Sequence, residues 1–213
     1  LGDSFDLRQL MAVAAQDATS TATALWPALQ AGLVLPLNEN YKFASSPEQL
    51  QAARYRFLHD RVQQAAYDLT PPEQRQELQL RCGRLLLAGS SEAELEERLF
   101  NVLHSLNSAV ALITDADERA RLLALNLRGG MRAKSASALA TAVTLLRQGK
   151  ALLAADAWQA NPDQTLLLFC ELAEAEYLAG NFDEAEALYP EGVAAAPTAI
   201  AKVMLCLVQV DQY

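Results

Sequence analysis

Positive charge is scarce in this chain: 17 Lys and Arg stand against 26 Asp and Glu, a formal net charge of −9. Nucleic-acid binders present a basic footprint, so the balance argues against DNA or RNA as partner. Histidine is nearly missing, with only His59 and His104. Cys82, Cys170 and Cys206 are scattered, and no zinc-ligand spacing arises from them. Three widely separated cysteines give no disulfide framework, and they read as buried free thiols in a reducing cytoplasm. No apolar run approaches the roughly 20 residues that span a bilayer, and no signal-peptide pattern is visible. The expectation is therefore a cytoplasmic chain without membrane contact. It starts at Leu1 and not at methionine, so it reads as a piece of a longer protein. No Gly-x-x-x-x-Gly-Lys-Ser/Thr phosphate loop is present; Gly149-Lys150 runs on into Ala151. No Gly-x-Ser-x-Gly and no paired nucleophile and base occur. These gaps lead to the expectation of a non-catalytic piece with no cofactor or metal of its own.

What is abundant is alanine and leucine, within a hydrophobic share of 52%. That composition favours packed helices over sheets. At 213 residues, the chain can bury one large core or two small ones. The expected class is mainly α, in three stretches.

Residues 1–69 mix helices with short β-like runs. Asp3 or Ser4 can cap a helix with Leu7, Leu10, Met11 and Ala14 on one face. Thr19 or Ser20 opens a second helix through Ala22, Leu25, Trp26 and Leu29; Pro27 interrupts it and Gly32 ends it in a left-handed cap. Leu33 to Leu37 and Tyr41-Lys42-Phe43 read as strands, Ala44 to Gln51 as a polar loop, and Tyr55-Arg56-Phe57 as a third strand. Asp60 can cap a helix carrying Val62, Ala65, Ala66 and Leu69. This order resembles a winged helix. The candidate recognition helix, Thr19 to Ala31, contains no Lys or Arg, so a packing role is expected over DNA contact. The competing reading is a DNA-binding regulator that uses this unit.

Residues 70–113 read as a helical hairpin. Pro71 and Pro72 stop the preceding helix. Thr70-x-x-Glu73 and Ser91-x-x-Glu94 are capping boxes. Leu78, Cys82, Leu85 and Leu86 point inward on the first helix, and Leu95, Leu99, Val102, Leu103, Leu106 and Val110 on the second. Glu92 to Arg98 is a charge run that a solvated helix face explains. Trp26 and Trp158 read as packing anchors.

Residues 114–213 repeat. Phe169, Leu172 and Ala173 lead to Tyr177; Gly180-Asn181-Phe182 turns; Ala185, Tyr189, Gly192 and Pro197 follow at the spacing of a tetratricopeptide repeat. Gly130, Ala133, Leu139, Ala142, Leu146 and Gly149 form an earlier unit. The register departs from that repeat at Glu176, where a bulky residue is expected, and at the helix-weakening pair Gly129-Gly130. Ala154 to Asp163 is surplus. A last helix, Thr198 to Gln212, carries a broad stripe of Ile200, Val203, Met204, Leu207 and Val208, flanked by Leu205 and Val210. The stripe is wider than one neighbour can cover, so self-association as a homodimer is expected.

The run Phe57-Leu58-His59-Asp60-Arg61-Val62-Gln63-Gln64-Ala65-Ala66-Tyr67, the Pro-Glu-Gln-Arg helix start at Pro72 and Gly83-Arg84-Leu85-Leu86-Leu87 resemble one family. It is that of large bacterial signalling proteins joining a serine/threonine or histidine kinase module, an AAA/STAND-type ATPase and a helical repeat array. Ser4 to Leu7, Leu25 to Leu37 and Tyr41 to Phe43 add to the likeness. The resemblance implies that this chain follows the ATPase core. It implies ATP and magnesium as cofactors of the parent only, and a role in relaying ATPase state to protein partners or neighbouring domains. Arg54, Arg56, His59 and Arg61 cluster in an otherwise acidic chain and are the candidate interdomain contacts. His59-Asp60 superficially matches a phosphoacceptor pair, but its place at a strand-to-helix junction favours a structural role.

Overall fold

The computed structural model describes residues 4–42, 50–89 and 91–210, apart from the side chains of Pro72 and Glu73. The cap expected at Asp3, the strand residue Phe43, most of the 44–51 loop, the Glu73 half of its capping box and residues 211–213 lie outside these. The chain is mainly helical, as composition requires, and divides into two compact units, Leu1–Leu112 and Ile113–Tyr213.

The first unit is built on a three-stranded antiparallel sheet, β1 (Ser4–Asp6), β2 (Val34–Pro36) and β3 (Arg54–Phe57), in the order β1-β3-β2. Helices α1 (Leu7–Ala14) and α2 (Ala18–Gln30) contribute to its core. Phe5, Leu7, Ala18, Val34, Tyr55 and the partly buried Phe57 pack together, with the Phe5 ring 5.8 Å from Tyr55 and 5.5 Å from Phe57.

Several local expectations change. Ser4 is a strand residue and not a cap; Asp6 caps α1, its Oδ1 accepting from Gln9 N at 2.7 Å while Gln9 Oε1 accepts from Asp6 N. Asp17, and not Thr19 or Ser20, caps α2, because its carboxylate accepts both the backbone N–H and the hydroxyl of Ser20. Tyr41 and Lys42 belong to a 3₁₀ turn, Glu39–Lys42, and not to a strand. The reason is long-range. Asn38 and Asn40 both donate to Ala52 O, and Asn38 Oδ1 accepts from Arg54 N, so side chains occupy the edge where a strand would continue. The third strand comes from Ser4–Asp6. Gly32 does end α2 at φ +68°, with Gly32 N–H bonded to Leu29 O and Leu33 N–H to Ala28 O, a Schellman closure. Trp26 is half exposed and is no packing anchor.

Helix α3 (Asp60–Asp68) has His59 at its N-cap, so Asp60 is a first-turn residue and not the cap. None of its residues is buried, against the apolar face expected from Val62, Ala65, Ala66 and Leu69; Leu69 is 85% exposed. Thr70 does not cap the next helix. Its hydroxyl donates back to Ala66 O, and Pro71 is the N-cap of α4 (Pro72–Ala88). Arg75 holds the junction, donating to Thr70 O at 2.6 Å and Asp68 O at 2.8 Å and lying over the Tyr67 ring.

Helix α4 packs on α5 (Glu92–Ser108) as a hairpin. The Ser91-x-x-Glu94 box forms as expected. Leu95, Leu99, Val102, Leu103 and Leu106 are buried. On α4, Leu80 is buried and Leu85 is exposed, the reverse of the expected orientation for Leu85. Gly83 lets α5 approach: a Cβ there would lie 2.5 Å from Leu106 Cδ2.

The second unit stacks α6 (Ala116–Ser135), α7 (Leu139–Ala151), a short α8 (Ala157–Ala160), α9 (Pro162–Leu178), α10 (Phe182–Ala195) and α11 (Ala199–Val210). Helices α6 and α7 pair, α9 and α10 pair, and α9 also packs on α7 and α11. Their common core includes Leu127, Ala142, Leu146, Trp158, Phe169, Ala173, Tyr189 and Leu205. The surplus segment forms α8, whose Trp158 ring lies 5.4 Å from that of Phe169 at an interplanar angle of 42°. Small residues stand at the close approaches. A Cβ on Gly130 would lie 2.5 Å from Leu146 Cγ, and one on Gly192 would lie 2.8 Å from Leu205 Cδ1.

Candidate functional surfaces

Arg54 and Arg56 alternate with Tyr55 and Phe57 along β3. Period-2 geometry therefore puts both arginines on the open side of the sheet and both aromatics in the core. Antiparallel register sets Leu35 beside Arg56 and Asp6 beside Arg54. Extended by one pair at each end, it sets Leu37 beside Arg54 and Leu33 beside Leu58. Leu37 N–H to Arg54 O and Leu58 N–H to Leu33 O confirm that extension. The open face thus carries a row of Leu33, Leu35 and Leu37 next to a row of Leu58, Arg56 and Arg54. Leu33, Leu37 and Leu58 are 44%, 46% and 39% exposed. His59 and Arg61 follow at the start of α3, both exposed. Among the described residues no carboxylate forms an ion pair with Arg54, Arg56 or Arg61. Reading from the sequence singled out the basic residues and missed the leucines. The signal was there: Leu33-x-Leu35-x-Leu37 has the period of a strand face, and that face is the one opposite Val34 and the core.

Between α3 and the α4–α5 hairpin runs a cleft of about 430 Å³, lined among others by Asp60, Gln63, Tyr67, Gln79, Asn101 and His104. It is amide-rich and open. No group of three or more His, Cys, Asp or Glu among the described residues is placed to hold a metal ion.

The stripe on α11 divides. Ala201 and Leu205 are buried, and Val208 packs on the core. Ile200, Val203, Met204 and Leu207 are 77%, 55%, 46% and 51% exposed, and the flanking Val210 is 67% exposed. Cys206 is exposed on the same helix, Cys170 is half-buried and only Cys82 is buried, which corrects the expectation of three buried thiols. Burial, then the charges of Glu171 and Glu174, push the Cys170 thiol up from its ordinary pKa, away from thiolate chemistry.

The feature least visible beforehand is a set of charges across the second unit's helices. Glu176, the residue that departs from the repeat pattern, is 2% exposed and accepts from Arg147 Nε at 2.5 Å, Arg147 Nη2 at 2.8 Å and Asn181 Nδ2 at 2.7 Å. Lys134 of α6 sits 2.7 Å from carboxylate oxygens of both Glu171 and Glu174 of α9. Burial disfavours its charge, but hydrogen bonds and charges of the two glutamates outweigh that and raise its pKa. Lys150 pairs with Glu191 at 2.6 Å and lies over the Phe169 ring. These contacts tie helices together. No helix of the described residues is long and apolar enough to cross a membrane.

Against known proteins, the chain is similar to the Hybrid signal transduction histidine kinase G of Dictyostelium discoideum, at 26% identity over 168 residues. The match covers 68% of this chain and 5% of that protein, so the chain spans about one-twentieth of its relative's length. No family model matches, and no solved structure matches.

Proposed function

We propose that this chain is a non-catalytic, protein-interaction segment of a larger signal-transduction kinase, joining a winged-helix-like unit and a helical hairpin to tetratricopeptide-like repeats. Its work is to relay the state of an ATPase core to partners or output modules. Similarity over 68% of the chain to a signal-transduction histidine kinase supports the signalling context. The observation that carries the interaction role is the α11 stripe, where four large apolar side chains of one helix stand about half exposed or more. A patch of that kind marks a contact surface, and stacked helical hairpins present extended surfaces suited to partners. Small residues at the helix approaches, Gly130, Ala185 and Gly192, support the repeat reading.

The test is site-specific photo-crosslinking from position 204 of α11 in the full-length parent. Protein adducts from that position are the expected result; none above an unmodified control would sink the interaction reading. Calorimetry of the 213-residue chain with ATP and magnesium is expected to show no saturable heat, since no phosphate-cradling loop is present.

The DNA-binding alternative draws on the sheet and on Arg54 and Arg56. Against it, α2 carries no Lys or Arg among Ala18–Gln30, and Arg54, Arg56 and Arg61 make a small basic footprint in a chain of net charge −9.

A further inference from the structure

We infer that the open face of the β1-β3-β2 sheet docks an amphipathic helix that carries acidic residues beside its apolar stripe. This deepens the interaction reading above and rests on it. The face carries three rows; the outermost, Ser4 and Asp6 of β1, lies beyond the arginines, with the Asp6 carboxylate engaged in capping α1, and the other two set its chemistry. Leu33, Leu35 and Leu37 form one, and Leu58, Arg56 and Arg54 form the other, paired across the strands. Residues two apart on a strand lie about 6.8 Å from one another, so the three leucines span about 13 to 14 Å. A helix covers that length in about nine residues, or two and a half turns. Apolar side chains at i, i+3, i+4 and i+7 match the leucine row, and this is how helices lie in apolar grooves.

The second row sets the sign of the partner's charge. Arg54 and Arg56 project on the same face in a chain of net charge −9, and no described carboxylate forms an ion pair with either. Cations held next to an apolar row select acidic side chains along one flank of the incoming helix, and charge complementarity of this kind fixes partner choice and orientation. A peptide strand would add to a sheet edge by backbone hydrogen bonds, but this surface is a side-chain face, with the backbone groups of β3 already shared with strands on both sides. A duplex would use the two arginines and leave the leucine row without a partner.

The experiment uses the 213-residue protein and fluorescently labelled helical peptides of about 18 residues, long enough for the leucine row. One peptide has a leucine stripe flanked by glutamate; the other has the same stripe flanked by lysine. Anisotropy is expected to show the glutamate peptide binding about tenfold or more tighter than the lysine peptide. The double variant Arg54→Glu, Arg56→Glu is expected to invert that order. Leu37→Ser, at an exposed position, is expected to weaken both peptides, and unchanged circular dichroism would show that each variant is folded. Equal affinity for the two peptides, binding of neither, or preference for a duplex of about 20 base pairs over the glutamate peptide would overturn the inference. Crosslinks from position 204 in the parent would still stand if the peptides failed, so loss of this docking face and loss of the interaction reading are told apart.

Discussion

A carboxylate with 2% of its surface exposed is costly unless its oxygens are satisfied, and Glu176 has three donors on two oxygens. Arg147 keeps half of its own side chain in water while reaching the buried carboxylate, so the pair avoids most of the desolvation that two buried ions would incur. Replacing Arg147 with Met strips two of the three donors. Urea unfolding is expected to show a loss of about 1–3 kcal/mol, and adding Glu176→Leu to Arg147→Met is expected to recover part of it, because the stranded charge is then gone. A loss in Arg147→Met within measurement error would contradict this account. Lys134 gives the pH counterpart. Its folded pKa lies above the ordinary 10.5 because Glu171 and Glu174 overcome its burial. Its contribution is therefore complete below that ordinary value and is lost as pH rises through the folded one. The gap in melting temperature between the original and Lys134→Met should be level from neutral pH to about pH 10 and close at more alkaline pH. A gap that stays unchanged through the alkaline range in which lysine loses its proton would refute the assignment.

Helices in the second unit meet through small residues, and this much was legible from spacing. Ala185, Tyr189 and Gly192 are all buried, and Gly130, poor helix material when read alone, stands where Leu146 leaves no room for a Cβ. Ala185→Leu should overpack its contact and cost about 1–3 kcal/mol. Glu184→Leu, one position away on the exposed side, should change stability by about 0.5 kcal/mol or less. Equal thermal melts for the two would break the register. Local chemistry was legible elsewhere too, as in the Ser91-x-x-Glu94 box and the Gly32 cap, since each depends on residues within a turn. What was not legible depended on distant partners. The Tyr41 strand is lost to bonds from Asn38 and Asn40 to Ala52, 14 and 12 residues away. Trp26 was misread by one helical position: Ala18, Thr21, Ala22, Leu25 and Leu29 form the inward stripe of α2, and Trp26 stands about 100° from Leu25. Glu176 read as a flaw in the repeat because its donors come from Arg147, 29 residues earlier, and from the turn at Asn181.

At the scale of the whole molecule, one helix face has no cover among the described residues. In the second unit α7 packs on α9 and α9 on α11, and α11 turns Ala201 and Leu205 inward, with Leu205 against Gly192. Its other side presents Ile200, Val203, Met204, Leu207 and Val210 to solvent. A second copy offers the same stripe, and two such stripes related by a two-fold axis bury each other, the commonest arrangement of soluble oligomers. The 213-residue chain is therefore expected to dimerise through α11. Light scattering across a concentration series should show the mass rising toward twice 23.1 kDa, while Met204→Glu, Leu207→Glu stays monomeric. Salt supplies an independent sign. Two copies of net charge −9 repel one another, and raising ionic strength from about 0.01 to 0.15 M shortens the screening length from about 30 to 8 Å. Dimerisation through an apolar stripe should therefore strengthen with salt, whereas docking of an acidic helix beside Arg54 and Arg56 should weaken. A dimer that dissociates as salt rises would point to charge pairing in place of the α11 stripe. A double variant that dimerises as well as the original would rule the stripe out.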